Sequence, residues 1–155
     1  MNYKYVLDSF AWVEYAIGSN MGEFVEFLLN NADCFTPTIV IAELSDKFHR
    51  ENQLKDWMLL YKFIKNATQT IPLSDNLAFQ SGQQKTKLRE NQHTGEKKIG
   101  LADAIIYQTS LNQEAKLVSG DDHFRNIKNV LYLKNMAKIK QEMKKIKEFK
   151  LRNNH

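Results

Sequence analysis

The sequence predicts an α/β protein, a three-layer α/β/α sandwich whose central sheet is mostly parallel. Short apolar segments typical of strands alternate with longer segments of helical periodicity along the 155 residues. Apolar residues make up 43% of the chain, which is typical of a globular protein with an ordinary core. The length fits a single core, and neither an internal repeat nor a flexible linker interrupts the alternation.

Strand and helix boundaries follow from local composition. Ser9 is predicted to cap the first helix, with Gly18 near its end. Pro37 is predicted at the first position of a later helix, and Ser74 is predicted to cap a polar helix that runs to about Glu90. Strands are predicted at residues 3–8, 33–37, 70–73, 115–120 and 129–133.

One helix has a clear apolar stripe. The stripe has the i, i+3, i+4, i+7 spacing of a helix face that packs on a core. Its members are Leu54, Trp57, Met58, Tyr61 and Ile64.

The chain divides by charge into a main domain, residues 1–133, and a basic amphipathic helix or tail, residues 134–155. The tail holds eight Lys and Arg residues against two acids, although the whole chain has a net charge of only +4. An apolar stripe between its lysines predicts packing on the domain or on a dimer mate, with a partner-binding face or an RNA-binding arm as alternatives. That stripe consists of Leu133, Met136, Ile139, Met143 and Ile146.

Several classes of protein are excluded or disfavoured by composition. Cys34 is the only cysteine, so the chain can form neither an internal disulfide nor a cysteine-rich metal site. No segment approaches the roughly 18 apolar residues that a membrane span needs. The pattern of a secretory signal, a basic segment followed by an apolar one, is not found. We therefore expect a cytoplasmic protein that does not associate with membranes.

Acidic residues stand beside apolar segments at five positions. Asp103 lies in "GLADAIIYQT", a predicted helix that is apolar on nearly every face, and a buried carboxylate needs a partner. Asp8 ends the first strand, Glu43 lies in "IVIAEL", and Asp121 and Asp122 follow the fourth strand. Because the carboxyl ends of parallel strands meet at one edge, where the following helices begin, we expect these acids to converge.

Converging carboxylates predict a metal site. Their mutual repulsion raises pKa values, and a divalent cation removes that repulsion. Hard oxygen ligands favour Mg²⁺ or Mn²⁺ over Zn²⁺, and one or two such ions suit phosphodiester hydrolysis. Each acid alone also has a structural explanation: Asp8 as a helix N-cap, Glu43 in a surface ion pair with a lysine, and the two later acids as turn residues.

Four motifs in order resemble those of a known family. "YVLDSFAWVEY" contains Asp8, "TPTIVIAELSDKF" contains Glu43, "IGLADAIIYQTSL" contains Asp103 and "LVSGDDHF" contains Asp121. With these motifs, residues 3–133 resemble a PIN domain of the VapC type, the toxin half of toxin–antitoxin pairs.

The resemblance implies a fold and a function. The fold is the α/β/α sandwich around a parallel sheet. The function is that of an endoribonuclease dependent on Mg²⁺ or Mn²⁺, with Asp8, Glu43, Asp103 and Asp121 as catalytic and metal-binding residues. Such toxins are usually homodimers that cut structured RNA such as transfer or ribosomal RNA and so stop translation. A small cognate antitoxin protein blocks the site.

The chain departs from the family pattern at two positions. The first motif often has a serine where this chain has Phe10, and Ser9 could supply the hydroxyl instead. The fourth motif often has a second aspartate where this chain has His123, which could be a metal ligand or a surface or capping histidine. Ser119 could hydrogen-bond a ligand carboxylate or a phosphate. We therefore expect Ser9, Ser119 and Asp122 to contact the metal-binding carboxylates without binding the ion themselves.

An acidic site needs basic residues nearby to bind RNA phosphates. Candidates lie in the polar helix and in the loop that precedes "GLADAIIYQT". They are Lys85, Lys87, Arg89, Lys97 and Lys98.

Two other functions stay open. One is a non-catalytic PIN-like module that binds RNA or a protein partner. The other is a phosphatase with an aspartyl nucleophile at Asp8, which usually has a second acid two residues later, where this chain has Phe10.

Overall fold

Residues 2–154 are described by the computed structural model, in which five strands form one parallel sheet. The strands are β1 (Lys4–Leu7), β2 (Asp33–Pro37), β3 (Gln69–Ile71), β4 (Lys116–Ser119) and β5 (Val130–Tyr132). Their order across the sheet is β3-β2-β1-β4-β5, and every neighbouring pair is parallel. The predicted α/β class and its parallel sheet are confirmed.

Seven α-helices accompany the sheet within residues 2–154. They are α1 (Ser9–Ile17), α2 (Asn20–Asn31), α3 (Thr38–Arg50), α4 (Leu54–Ala67), α5 (Asp75–Glu90), α6 (Leu101–Asn112) and α7 (Met136–Asn153). A single 3₁₀ turn, Asp122–Phe124, follows β4. None of the helices in this range is long and apolar enough to cross a membrane.

The register of the central strands positions the site. In β1, Tyr5 lies opposite Cys34 of β2 and Lys116 of β4, and Leu7 lies opposite Val118. The last three residues of both β1 and β4 are buried, as expected for strands covered on both faces. Because β1 and β4 run side by side, the residues that follow them meet at one edge of the sheet.

Two predicted helix starts are wrong by one residue. Asp8, not Ser9, is the N-cap of α1, and its side chain accepts a hydrogen bond from the backbone N–H of Ala11. Pro37 is the residue before α3 rather than its first residue. An acid at the N-cap leaves the Ser9 hydroxyl free for another partner.

Two other predicted helix boundaries are confirmed. Ser74 caps α5 and accepts a hydrogen bond from the backbone N–H of Leu77. Gly18 ends α1 with φ at 67°, a left-handed conformation that favours glycine.

The core-facing stripe predicted in α4 is only partly right. Trp57 and Ile64 are buried, but Leu54 and Met58 are more than half exposed. Leu60, outside the predicted stripe, is buried instead. The buried face of α4 is therefore rotated from the predicted stripe toward Leu60, and the packing of α4 against its neighbours sets this rotation.

Helix α7 packs on the rest of the chain. Ile139 and Ile146 belong to the main hydrophobic core, while Met136 lies largely exposed at the start of the helix. The buried Glu142 accepts hydrogen bonds from the Tyr5 hydroxyl at 2.7 Å and from Lys116 Nζ at 2.8 Å. Helix α7 therefore shares the core of residues 2–133 through most of its apolar stripe.

Candidate functional site

Asp8 is a buried carboxylate at the end of β1, with 3% of its surface exposed. It accepts a hydrogen bond from Ala11 N at 2.9 Å, so the alternative of a helix cap is correct. Burial raises its pKa to about 7, with the charges of Glu43 and Asp121 acting in the same direction. Hydrogen bonds from Ser119 and Ala11 lower the pKa but only partly offset burial. The hydrogen bond that caps α1 therefore does not compensate the buried negative charge of Asp8.

Glu43 reaches the same edge from the second turn of α3. Ser9 Oγ donates a hydrogen bond to Glu43 Oε1 at 3.2 Å, across 34 residues of sequence. Burial raises the pKa of Glu43, the bond from Ser9 lowers it, and the charges of Asp103 and Asp121 raise it again. The predicted alternative of a surface ion pair with a lysine is wrong, because no basic side chain of residues 2–154 lies within ion-pair distance of Glu43.

Asp103 lies in the first turn of α6. Its Oδ2 accepts a hydrogen bond from Gly100 N at 3.2 Å, and a negative charge at a helix N-terminus is favourable. Burial nevertheless raises its pKa, as does the charge of Asp121, against the lowering effects of the Gly100 bond and of His123. The seven residues that follow it, 104–110, are all buried. The apolar helix therefore holds this carboxylate at the rim of the core.

Asp121 follows β4 and caps the 3₁₀ turn. Its Oδ1 accepts a hydrogen bond from His123 N at 3.0 Å and lies 2.6 Å from His123 Nδ1. The same Nδ1 lies 3.8 Å from Asp103 Oδ2. Ser119 Oγ accepts a hydrogen bond from Asp121 N at 3.0 Å and also hydrogen-bonds Asp8. One imidazole and one hydroxyl thus connect three of the four acids.

Asp122 makes its contacts elsewhere. Its Oδ1 accepts a hydrogen bond from the Tyr132 hydroxyl and another from Lys134 Nζ at 2.9 Å. These two hydrogen bonds lower its pKa to about 2. The structure therefore brings Ser9 and Ser119 into contact with the acids, while the Asp122 carboxylate is directed toward β5.

The donor set fits a divalent cation. His123 is the sole ion-pair partner of Asp8, Glu43, Asp103 and Asp121 in the described part of the chain, so their charge is largely uncompensated. Within that part, no three His, Cys, Asp or Glu side chains are already arranged around one ion. Carboxylate oxygens suit Mg²⁺ or Mn²⁺, and Mg²⁺ keeps several waters, so few direct ligands are needed.

Comparison with known proteins decides the family. The sequence model of the PIN domain matches residues 5–130. This chain belongs to the PIN domain family. That span contains Asp8, Glu43, Asp103 and Asp121. A search of the curated proteins finds no match.

Solved structures share the fold of this PIN domain at low sequence identity. VapBC2 from Rickettsia felis, bound to a promoter DNA fragment, has 22% identity and a TM-score of 0.65, over 83% of this chain and 96% of that one. VapBC from Salmonella typhimurium, also DNA-bound, has 16% identity and a TM-score of 0.63, over 84% and 96%. VapC20 from Mycobacterium tuberculosis, a toxin that cleaves the sarcin–ricin loop, has 12% identity and a TM-score of 0.60, over 81% and 98%.

Phe10 has a packing role in this PIN domain. A Cβ atom built on Gly120 would lie 2.2 Å from Cε1 of the Phe10 ring, so the ring and the glycine backbone fit closely together. Lys134 Nζ lies 5.6 Å from the centre of the same ring, within cation–π range. One residue earlier, the Ser9 hydroxyl donates a hydrogen bond to Glu43.

A groove leads away from the acids. It contains two basic residues that were not predicted from the sequence. Ser9, Glu43 and Asp121 line it together with Lys47 and Arg50 of α3. Both basic residues pair with acids four positions away on the same helix. Their spacing, four and seven residues after Glu43, places them on the same helix face and could have identified them.

The basic residues predicted to bind RNA are spread over two faces of α5 and a loop. Lys85 and Arg89 line a second groove with Leu101, two residues before Asp103. Lys87 lines a different groove, on the side of Tyr107. Arg89 also has a structural role, because its Nε donates a hydrogen bond to the Ile99 carbonyl at 2.7 Å. Two further candidates, in the loop, are exposed: Lys97 and Lys98.

Proposed function

We propose that this PIN domain is a metal-dependent endoribonuclease that uses Mg²⁺ or Mn²⁺ to hydrolyse phosphodiester bonds in RNA. One observation carries the proposal. Buried or half-buried carboxylates from four separate segments lie at one sheet edge. Three of them have raised pKa values, and within residues 2–154 none is paired with a lysine or arginine. A protein gains no stability from such an arrangement, whereas a cation-dependent hydrolase requires it.

Four acids supply the ligands for the ion: Asp8, Glu43, Asp103 and Asp121. When bound, a divalent ion lowers the pKa of a coordinated water and stabilises the charge that develops on the phosphate. Ser119 and Ser9 orient the carboxylates of Asp8 and Glu43 through the hydrogen bonds described above. Burial raises the pKa of Glu43, which makes its carboxylate a stronger base.

The substrate is RNA of the transfer or ribosomal class. Lys47 and Arg50 in the groove beside Glu43, and Lys85 and Arg89 in the groove beside Leu101, lie on elements that adjoin the acids. Lysines and arginines in such positions neutralise phosphates on either side of the bond to be cut. The exposed loop of residues 91–98 adds two further lysines.

The biological role that fits this activity is the toxin of a type II toxin–antitoxin pair. The solved structures with the same fold include toxin–antitoxin complexes, among them VapBC2 and VapBC. We therefore expect a homodimer in the cytoplasm, whose site a small cognate antitoxin protein blocks. Co-expression with the product of a short neighbouring reading frame should abolish toxicity and yield a stable complex.

The decisive experiment compares wild-type protein with Asp103→Asn. Asparagine keeps the acceptor for the Gly100 N–H but removes the charge, so the fold should be retained. The matched control is Asp122→Asn, because Asp122 is an acid of the fourth motif whose carboxylate is directed away. RNA should be cut by the wild type and by the control in Mn²⁺, but not by Asp103→Asn, and a chelator should stop cleavage.

Sequencing of RNA ends after expression in matched cells identifies the substrate. Equal cleavage by wild type and Asp103→Asn would show that the assigned site is wrong. RNA binding without cleavage in any divalent metal would favour the non-catalytic alternative.

A further inference from the structure

We propose that helix α7 is a second RNA-binding surface of this protein, which contacts the phosphate backbone of an extended substrate outside the acidic site. The inference rests on the proposed ribonuclease function and deepens it, because it predicts a long substrate rather than a short one. Helix α7 begins after residues 5–130, the span that matches the PIN domain. It is therefore an addition to the part of the chain that carries the four acids.

Positive charge is concentrated on α7. The helix contains seven of the 22 Lys and Arg residues of the chain but only two of its 18 Asp and Glu residues. Of these two acids, Glu142 is buried and accepts hydrogen bonds from Tyr5 and Lys116. Glu148 is thus the one exposed acid of the helix. An excess of cations on one surface attracts a polyanion such as RNA.

Six cations form two rows along the exposed sides of α7. They are Lys138, Lys145 and Arg152 in one row and Lys140, Lys144 and Lys147 in the other. Within residues 2–154, the ion pairs of these six side chains are Lys144 with Glu148 at 3.9 Å and Lys145 with Glu142 at 4.0 Å. Pairs this long on an exposed helix contribute little, so the two rows remain available to phosphates.

The apolar face of α7 is already occupied. Ile139 and Ile146 are buried in the main core, and the Phe149 ring packs edge-on against Tyr3 with ring centres 5.5 Å apart. A basic helix that binds a membrane surface inserts its apolar face into the lipid, which this packing prevents. The exposed cations are therefore suited to RNA rather than to a membrane.

The direction of α7 connects its two rows with the acidic site. Ser119 at the end of β4 pairs with Tyr132 at the end of β5, so both strands end at the edge that carries the acids. The helix begins at Met136, soon after that edge, and Phe149 near its other end contacts Tyr3, just before β1. Its 18 residues span about 27 Å. An RNA strand held at the acids can therefore continue along α7 toward the opposite edge of the sheet.

The type of side chain predicts how this surface binds. Lysine acts on phosphate as a point charge, and phosphate contacts position a nucleic acid without reading its sequence. Five of the six cations in the two rows are lysines. We therefore expect α7 to add affinity for RNA that is independent of sequence and sensitive to salt.

Binding of purified transfer RNA tests the surface in full-length protein that carries Asp103→Asn, so that cleavage does not consume the probe. Lys138→Gln and Lys144→Gln remove one lysine from each row. Each substitution should weaken RNA binding about fourfold at about 0.15 M salt, and the two together about 15-fold. The matched control is Lys55→Gln with Lys62→Gln, because these two lysines are also exposed but lie on α4, which contacts β3 at the other side of the sheet. The control should keep the affinity of its parent.

The outcomes separate this inference from the proposed function. RNA cleavage by the wild type, with equal affinity in the parent and in the α7 variant, would overturn the role of α7 and leave the ribonuclease standing. Equal affinity together with a lost antitoxin complex would overturn it as well, in favour of a protein partner. A loss as large in the α4 control would show that only net charge matters and would also overturn it. Weaker binding confined to the α7 variant, in a protein whose wild type cuts no RNA in any divalent metal, would support the surface and overturn the ribonuclease.

Discussion

Asp8 and Glu142 are equally buried carboxylates with opposite properties. Each exposes 3% of its surface. Glu142, in α7, receives hydrogen bonds from Lys116 and Tyr5, and although burial raises its pKa, these partners bring the pKa below its ordinary value. Asp8 has no cationic partner in the described chain, and burial raises its pKa to about 7.

The difference separates a structural acid from a functional one. A buried charge that is paired and hydrogen-bonded contributes to the native fold, as Glu142 does by joining α7 to the starts of β1 and β4. A buried charge left without a cation destabilises the fold unless a ligand supplies one. The opposite ends of the same two strands therefore carry a structural ion pair and a candidate metal site.

The largest effect is expected on RNA cleavage, from a substitution of Asp8. Asp8→Asn should lower RNA cleavage by about 10²–10³-fold, because it removes a charge that holds the ion. Asparagine can still accept the hydrogen bond from Ala11 N, so the melting temperature should be unchanged or higher. Cleavage rates in Mn²⁺ and thermal denaturation measure the two properties. A variant that loses activity only because it unfolds would contradict the comparison.

The reverse result is expected at Glu142. Glu142→Ala should destabilise the protein by about 2–3 kcal/mol, because it leaves the buried Tyr5 hydroxyl without its acceptor. Cleavage per folded molecule should not change. Glu142→Gln is the control, since the amide oxygen can still accept from Tyr5, and it should cost less. Urea denaturation gives both values, and a loss of cleavage in folded protein would break the comparison.

The two carboxylates should also respond oppositely to pH. Between its ordinary value of 3.8 and about 7, Asp8 binds a proton only when the protein is folded, so stability falls as pH rises through this range. We expect the melting temperature of the metal-free protein to fall by about 10 °C over that range, and that of Asp8→Asn to fall less.

The paired acid acts in a different pH range. The lowered pKa of Glu142 makes its contribution present above the ordinary value of 4.5 and lost at more acidic pH. Glu142→Gln should therefore change the acid limb of the stability profile only. A stability that rises steadily from pH 4 to pH 7 in the metal-free wild type would contradict the assignment of Asp8.

A smaller effect is expected when the hydrogen bond from Ser9 to Glu43 is removed. Ser9→Ala removes the hydrogen bond to Glu43, so the pKa of Glu43 should rise further and cleavage should fall about tenfold near neutral pH. The pH at which cleavage is half-maximal should move upward. Ser45→Ala serves as the control, because the Ser45 hydroxyl lies on the exposed side of the same helix, α3. An unchanged pH profile in Ser9→Ala would show that the hydroxyl has no part in positioning Glu43.

The smallest effect concerns α7, whose packing makes its deletion an unsuitable test of RNA binding. Lys140 and Lys144 are exposed on this helix, so replacing them by glutamine should leave the fold intact. If α7 contacts RNA, each substitution should reduce the slope of log affinity against log salt by about 0.7–0.9. An unchanged slope would show that the basic face of α7 is exposed to solvent and does not contact RNA.

Much of the fold followed from local sequence. Alternating apolar segments predicted the parallel sheet, and β2 was predicted at 33–37, the residues it occupies. The exact buried face of α4 was not predictable, because Leu54 and Leu60 differ in burial only through contacts with other elements. The same holds for α7, where Ile139 packs into the core but Met136 does not.

The acids themselves could be identified from the sequence, because a carboxylate within an apolar segment is costly wherever the chain folds. Their partners could not. The hydrogen bond from Ser9 to Glu43 spans 34 residues, and the ion pair from Lys116 to Glu142 spans 26. Nothing local distinguishes Asp122, which pairs with Lys134, from its neighbour Asp121. The sequence determined which charges need compensation; the tertiary structure alone decided which received a cation, since electrostatic partners depend on distance in space.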